Sequence, residues 1–337
     1  MLEIAMHTTV DMKKILALLT PLSLLMAGTA LAQAPSGKLV LYTSQPQKDA
    51  QETVAAFNKA VPGVQVDFVR DGTTQLMSKL RAEIAAGAPQ PDLLLIADAM
   101  TMEQLKQENR LAAYRDAKVA GLPDGAYDPD YTYFGTKFIT TGIIYNTKAK
   151  KPESWKDLLA ADAKGQVVLP SPLYSGAAAI HMGTLAGVKD IGLGYFESLA
   201  QNGAVAVQGN GQVRTQVAGG QKLYGIIVDF MGLNAKKDGS PVDFVFPKEG
   251  VTVVTEPVAI LTTAKNPAAA KAFIDFVLSA DGQRFAASQG YLPMRADVAA
   301  PEGFPARDGI KVLPAPVQIL LKEDQANKKR FADAFGG

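Results

Sequence analysis

A chain of 337 residues, 47% of them apolar, is long enough for one large domain or two of ordinary size. Its 34 Lys and Arg nearly balance 33 Asp and Glu, and no basic run with interleaved aromatics occurs, which argues against nucleic acid and anionic membrane surfaces as partners. With no cysteine, disulfides, thiolate catalysis, cysteine-bound metals and a lipid-modified cysteine are excluded.

Lys13 and Lys14 precede the apolar run "ILALLTPLSLLMAG", and Ala30-Leu31-Ala32 follows, so residues 1–32 read as a secretory signal peptide cleaved after Ala32. Glu3 and Asp11 fit a positively charged leader poorly, which favours Met12 over Met1 as the start. No later segment reaches the roughly 18 apolar residues of a membrane helix, so the mature chain is expected to be soluble and, without disulfides, to suit a periplasm.

From residue 38, strand and helix periods alternate: "KLVLYTS" (strand), "QKDAQETVAAFNKAVP" (helix), "VQVDFVRDG" (strand), "TTQLMSKLRAEIAAGA" (helix), "PDLLLIAD" (strand) and "MTMEQLKQENRL" (helix). Strands joined through helices imply a parallel sheet, and ligands bind beyond the carboxyl ends of such strands. The loops "TSQPQ", "DGTTQ" and "ADAMT" should therefore share one mouth. A second α/β section follows, with "FITTGIIYNTK" extended, "ESWKDLLAADAKG" a helix, "QVVLPSP" a strand, "GAAAIHMGTLAG" a helix, "GAVAVQGNG" a strand, "QVRTQVAGG" a helix and "KLYGIIVD" a strand. The chain ends with "VDFVFPKEGVTVVTEPVAILTTAKNP", "AAAKAFIDFVLSADGQRFAAS", a proline-rich stretch and a charged helix. No linker separates the halves, as expected if extended crossovers join them.

The phrases "PESWKDLLAADAKGQVVLPSPLYSGAA", "EGVTVVTEPVAIL" and "NPAAAKAFIDFVLSADGQ" resemble the periplasmic substrate-binding proteins of ABC importers, specifically the ferric-ion-binding-like class, over Lys38 to about Met294. The resemblance implies a type II periplasmic-binding-protein fold: two α/β lobes, each a mixed sheet flanked by helices, closing on a small ligand. The expected lobes are 38–138 with 254–301, and 139–253, with 302–337 a tail packing on them. It also implies that Ser175, Gly176 and Ala177 hold a phosphate-like anion. A helix start, with unpaired N–H groups and partial positive charge, is suited to that. Iron-binding members carry two adjacent tyrosines where this chain reads "YGIIVDFMG"; Asp229 and Phe230 replace them, and no ferric site or other metal site is expected.

Further candidates stand at strand ends and helix starts: Ser44 and Gln45, Thr73 and Thr74, and Asn210, each also readable as part of an ordinary helix cap. Asp98 and Asp229 end buried strands, where an unpaired carboxylate is costly, so they either cap the next helix or meet a ligand ammonium. Glu256 stands where the chain crosses between lobes and faces either the cleft or the hinge. Trp155, Met100 and Met102 read as packing residues, and Tyr131 and Tyr133 as surface or cleft-wall aromatics.

A Ser175–His181 catalytic pair is excluded because a six-residue separation on one helix sets the side chains about 240° apart. No G-x-S-x-G elbow, full dinucleotide fingerprint or Walker A phrase occurs, no cofactor is implied, and a phosphatase would need a nucleophile or dimetal cluster that the sequence does not offer. The expectation is a monomeric periplasmic binding protein that carries a small anion to an inner-membrane permease. Asp98 and Asp229 favour 2-aminoethylphosphonate, followed by hexose phosphate, inorganic phosphate and a ferric complex.

Overall fold

The structure is a computed structural model describing residue 2, residues 34–305 and residues 307–336. Apart from residue 2, the expected signal peptide lies outside the described residues, as does the choice of start. Pro35–Gly337 form one compact unit.

The chain begins with β1 (Gly37–Thr43), α1 (Gln47–Ala60), β2 (Val64–Arg70), α2 (Thr73–Ala85), β3 (Leu93–Leu95), α3 (Ala99–Gln107), β4 (Leu111–Ala112) and β5 (Phe134–Gly135). It then runs through β6 (Ile139–Asn146), β7 (Val167–Pro170), α4 (Gly176–Ala186), α5 (Gly194–Gln201), β8 (Val205–Val207), α6 (Asn210–Ala218), β9 (Tyr224–Val228), α7 (Asp229–Lys237), β10 (Val242–Val245) and β11 (Thr252–Val254). It closes with β12 (Pro257–Leu261), α8 (Pro267–Leu278), α9 (Ala280–Ser288) and α10 (Val317–Phe335).

Two six-stranded sheets result, one in the order β2-β1-β3-β12-β4 with β5 on β12, the other β10-β6-β9-β7-β8 with β11 on β6. The chain crosses between them twice, from β5 to β6 and from β11 to β12. Both sheets are mixed: β1, β2 and β3 are parallel while β12 runs against β3, and β7, β8 and β9 are parallel while β6 runs against β9.

Parallel register sets the position of the loops. Thr43 lies opposite both Arg70 and Leu95, so the chain leaves β1, β2 and β3 at one edge. Pro170 lies opposite Val207, and Val168 opposite Gly225, which brings the ends of β7, β8 and β9 to one edge of the second sheet.

Helical periodicity explains the flanking elements. In α1, Ala50, Thr53, Val54 and Phe57 form one buried stripe. At α8, Asn266 caps the start and Pro267 occupies the first turn, where its missing N–H costs nothing. The run "AAAKAFIDFVLSADGQRFAAS" divides at Ser279, which ends α8 and caps α9 through Gly282 N. A Cβ at Gly282 would lie 2.0 Å from Phe276 O, so only glycine permits that turn.

The structure differs from expectation at two places. "ESWKDLLAADAKG" forms two short 3₁₀ turns, at Trp155–Leu159 and Ala161–Ala163, instead of one α-helix. Tertiary hydrogen bonds fix it: Trp155 Nε1 donates to Gly250 O at 2.9 Å, and Tyr195 Oη donates to Trp155 O at 2.9 Å. The helix α5 has no counterpart among the expected elements, because eight residues carry too short a period.

Apolar clusters lie on both faces of each sheet, and a further cluster joins Met100 and Tyr291 to Ala177, Ile180, Phe230 and Leu320. The last helix, α10, packs on α3 of the first sheet and on α4 and α5 of the second. Trp155 is fully buried in the second sheet's core. Trp155→Ala is expected to destabilise the protein by about 3–5 kcal/mol through cavity creation, read by denaturant unfolding.

Candidate ligand site

A cavity of about 350 Å³ opens where the two carboxyl edges meet. The first sheet contributes Ser44, Arg70, Asp71, Gly72, Thr73, Gln75 and Ala97; the second contributes Ile139, Tyr174, Ser175, Ala177, Gln208 to Gln212, Val228, Phe230 and Met231, with Glu256 from the second crossover. The two walls touch beside it. A Cβ on Gly176 would stand 2.6 Å from Asp98 Cβ and 2.9 Å from Ala97 O, and one on Gly72 would stand 3.2 Å from Tyr174 O.

Of the residues singled out in the sequence, Ser44, Thr73, Ser175, Ala177, Asn210 and Glu256 line the cavity. Ser44 Oγ also accepts from Ala97 N at 2.9 Å, and Ser175 Oγ from Ala178 N at 3.3 Å. The serine thus caps its helix, while Gly176 stands outside the cavity lining at the contact between the walls. Thr74 is exposed on the side of α2, and Gln45 is fully buried behind the wall, its Nε2 donating to Glu256 Oε2 at 3.4 Å.

Asp98 and Asp229 do not line the cavity. Asp98 caps α3, accepting from Met100 N at 2.9 Å, Thr101 N at 3.2 Å and Thr101 Oγ1 at 2.6 Å. Asp229 is fully buried and accepts from Thr140 N at 2.8 Å, Thr140 Oγ1 at 2.7 Å and Phe230 N at 2.7 Å. Of the two alternatives the sequence leaves open for these acids, the structure favours the internal one, because their oxygens accept from the chain's own donors. Burial pushes the Asp229 carboxyl up to about 7, against the lowering effect of the donors from Thr140 and Phe230.

Glu256 belongs to a buried network at the crossovers. Its Oε2 pairs with Lys137 Nζ, and Thr136 Oγ1 donates to its backbone oxygen at 2.8 Å. The Lys137 ammonium lies 4.4 Å from the centre of the Tyr291 ring, and Tyr291 Oη donates to Asp49 Oδ2 at 2.5 Å. Burial raises the Glu256 pKa and the Lys137 charge opposes the rise. The φ of +39° at Glu256 is left-handed, a conformation that costs energy in a non-glycine residue and is held by these partners.

Sequence reasoning missed Arg70, Gln75, Tyr174, Gln208 and Gln212. Arg70 is the last residue of β2, so the strand-end rule that selected Ser44 applies to it; its Nε donates to Gln45 O at 2.7 Å. Arg70 is the one Lys or Arg lining the cavity among the described residues. Gln75 Oε1 is buried without a hydrogen-bond partner.

The helix starts around the cavity differ in what they leave free. Two helices, α3 and α7, begin beside carboxylates of their own, Asp98 and Asp229. By contrast, α2 and α6, from opposite sheets, begin after Gly72 and Gly209 with no side-chain cap. Their first N–H groups and positive dipole ends remain available to an anion.

His181 is packed against Trp155 and Phe196, with ring centroids 4.8 and 6.0 Å away, and does not meet Ser175. Burial lowers its pKa to about 3. Tyr133 donates to Glu103 Oε2 at 3.1 Å and Tyr131 packs at an angle against Tyr127 and edge-to-face with Phe134, both away from the cavity lining. Among the described residues no group of three or more His, Asp or Glu is placed to hold a metal, and no helix is long and apolar enough to cross a membrane.

The sequence matches the bacterial extracellular solute-binding protein family over residues 42–284, and the chain belongs to that family. Its fold is that of the type II periplasmic binding proteins. The periplasmic binding protein AfuA from Actinobacillus pleuropneumoniae, solved with exogenous fructose-6-phosphate bound, superposes with a TM-score of 0.82 at 23% identity, over 89% of this chain and 98% of that one. Iron-bound HitA from Pseudomonas aeruginosa superposes with a TM-score of 0.76 at 22% identity, over 88% and 99%. The phosphoglycerate transport regulatory protein PgtC of Salmonella typhimurium is 22% identical over 74% of this chain and 65% of its own length. The chain is thus a bacterial extracellular solute-binding protein.

Two measurements test the buried groups. Lys137→Met leaves the Glu256 charge buried and unpaired, and is expected to cost about 3–5 kcal/mol, whereas Lys137→Met with Glu256→Gln recovers part of the loss. For Asp229, a folded pKa of about 7 above the unfolded 3.8 means stability present at low pH and lost as pH rises through about 7. His181 has the opposite slope, its depressed pKa costing stability as pH falls from 6.5 towards about 3. The unfolding free energy of Asp229→Asn relative to wild type should therefore improve between pH 5 and pH 8, the His181 contribution cancelling in the difference.

Proposed function

We propose that the protein captures a small phosphorylated organic anion, of sugar-phosphate or phosphoglycerate class, in the periplasm and delivers it to an inner-membrane ABC permease. The observation that carries this reading is the pair of uncapped, glycine-started helices, α2 and α6, facing one cavity from opposite sheets. A phosphoryl group accepts several N–H bonds in a small volume, and Arg70 supplies a fork suited to its oxygens.

The amides of Gln75, Gln208, Asn210 and Gln212, together with Asp71, offer partners for hydroxyl groups on the remainder of the ligand. A volume of about 350 Å³ lies at the small end of ligand pockets, roughly 300–1,000 Å³, and suits a phosphate ester better than free phosphate. The sugar phosphate held by AfuA and the phosphoglycerate in the name of PgtC support the same class. Donors drawn from both sheets would make binding and closure one event.

A second reading, 2-aminoethylphosphonate, is favoured by a single residue, Asp71. Its carboxylate lines the cavity and could meet an ammonium, the role that Asp98 and Asp229 do not fill. The iron reading has little support, since Val228, Phe230 and Met231 make an apolar wall at the segment where the iron-binding class is expected to carry tyrosines.

A thermal-shift panel on protein stripped of carried ligand tests the assignment, using fructose 6-phosphate, 3-phosphoglycerate, inorganic phosphate, methylphosphonate, 2-aminoethylphosphonate and ferric citrate. A ligand at a hundred times its Kd adds about 2.7 kcal/mol and raises the melting temperature visibly. The expected shift is with the phosphate esters; a shift with aminoethylphosphonate alone selects the second reading, and one with ferric citrate alone overturns both. Arg70→Gln is expected to weaken the phosphate ester by about 1.5–3 kcal/mol, the range for a hydrogen bond to a charged group. Gly176→Ala should weaken it by obstructing the contact between the walls, without removing any ligand donor.

A further inference from the structure

Behind the wall of the ligand cavity lies a second, smaller chamber of about 10 Å³. Ala177, Asn210 and Val228 line both spaces, and the rest of the chamber is largely apolar, with Leu169, Phe196 and Ile226 among its walls. Two of its residues hold polar atoms without a hydrogen-bond partner among the described residues, His181 Nε2 and Thr141 Oγ1. Both side chains are deep in the protein, at 2% and 3% exposure.

Two unpartnered polar atoms at one apolar chamber form a costly arrangement unless something small serves both. The space matches the roughly 10–15 Å³ that one water requires, and is too small for a solute. A cation is a poor occupant, because no carboxylate lines the chamber. The hydrogen-bonding roles also suit water. His181 Nδ1 lies 3.1 Å from Thr252 Oγ1, and whichever nitrogen carries the proton, Nε2 is left to donate or to accept. Water can take either part, and so can the Thr141 hydroxyl.

We propose that the chamber is a one-water site in which a single buried water bridges His181 Nε2 and Thr141 Oγ1, with a third contact from the Asn210 side chain. Asn210 accepts from Val228 N through Oδ1 at 3.2 Å and lines the chamber as well as the ligand cavity. The water thus joins α4, β6 and the start of α6 behind the ligand. It is independent of the ligand's identity and is present in free and liganded protein alike.

A crystal structure at a resolution that shows ordered waters tests the site in wild-type protein. The expected result is one peak within hydrogen-bond distance of both atoms. A chamber without density, or a direct bond between His181 Nε2 and Thr141 Oγ1, overturns the proposal. In solution, a long-lived water should give a nuclear Overhauser effect to the His181 ring protons. Thr141→Val keeps the side-chain shape and removes the hydroxyl, so the effect should be lost; an undiminished effect in that variant overturns the bridge.

Discussion

The buried pair of Lys137 and Glu256 is the interaction on which the arrangement of the two sheets rests. Each residue stands on one of the two strand-to-strand crossovers, so the pair ties these two links between the sheets together. Removing both charges from water costs several kcal/mol per ion, and a bare pair would not recover it. Here the Tyr291 ring lies against the ammonium, Gln45 donates to the carboxylate, and Tyr291 is anchored to Asp49 at the start of α1. The strained backbone at Glu256 persists because these contacts determine its position several times over.

With the sheets held this way, the cavity follows from strand direction. Parallel neighbours leave a sheet at the same edge, and each sheet turns that edge towards the other. The chemistry of the wall is then decided by which helix starts are already satisfied. Asp98 and Asp229 serve their own helices and neighbours, whereas Gly72 and Gly209 bring no side chain and leave N–H groups free. A glycine also fits where the walls touch, since at Gly176 any side chain would collide with the turn before α3.

Long periodic segments such as α1 and α2 were legible from hydrophobic spacing, because their burial follows the period of the element. Short elements were not. The helix α5 and the 3₁₀ turns at Trp155 owe their conformation to contacts with distant residues. At the candidate site, the reading of strand ends and helix starts found Ser44, Thr73 and Asn210, the family resemblance found Ser175, and the strand-end rule also applied to Arg70, which it was not used to select. It could not separate Asp98 and Asp229 from true cavity residues, since a position at a strand end does not state which way the side chain turns.

By itself the amino-acid order determined the alternation of strands and helices, the placement of loops at strand ends, and the absence of any thiol chemistry, because periodicity and composition are local properties. Only the tertiary structure decided which polar groups remain for a ligand. That choice depends on donors far away in the chain: Thr140 for Asp229, Lys137 for Glu256 and Ala97 for Ser44. Hydrogen-bonding capacity is finite, and what the fold uses internally cannot also be offered to a solute.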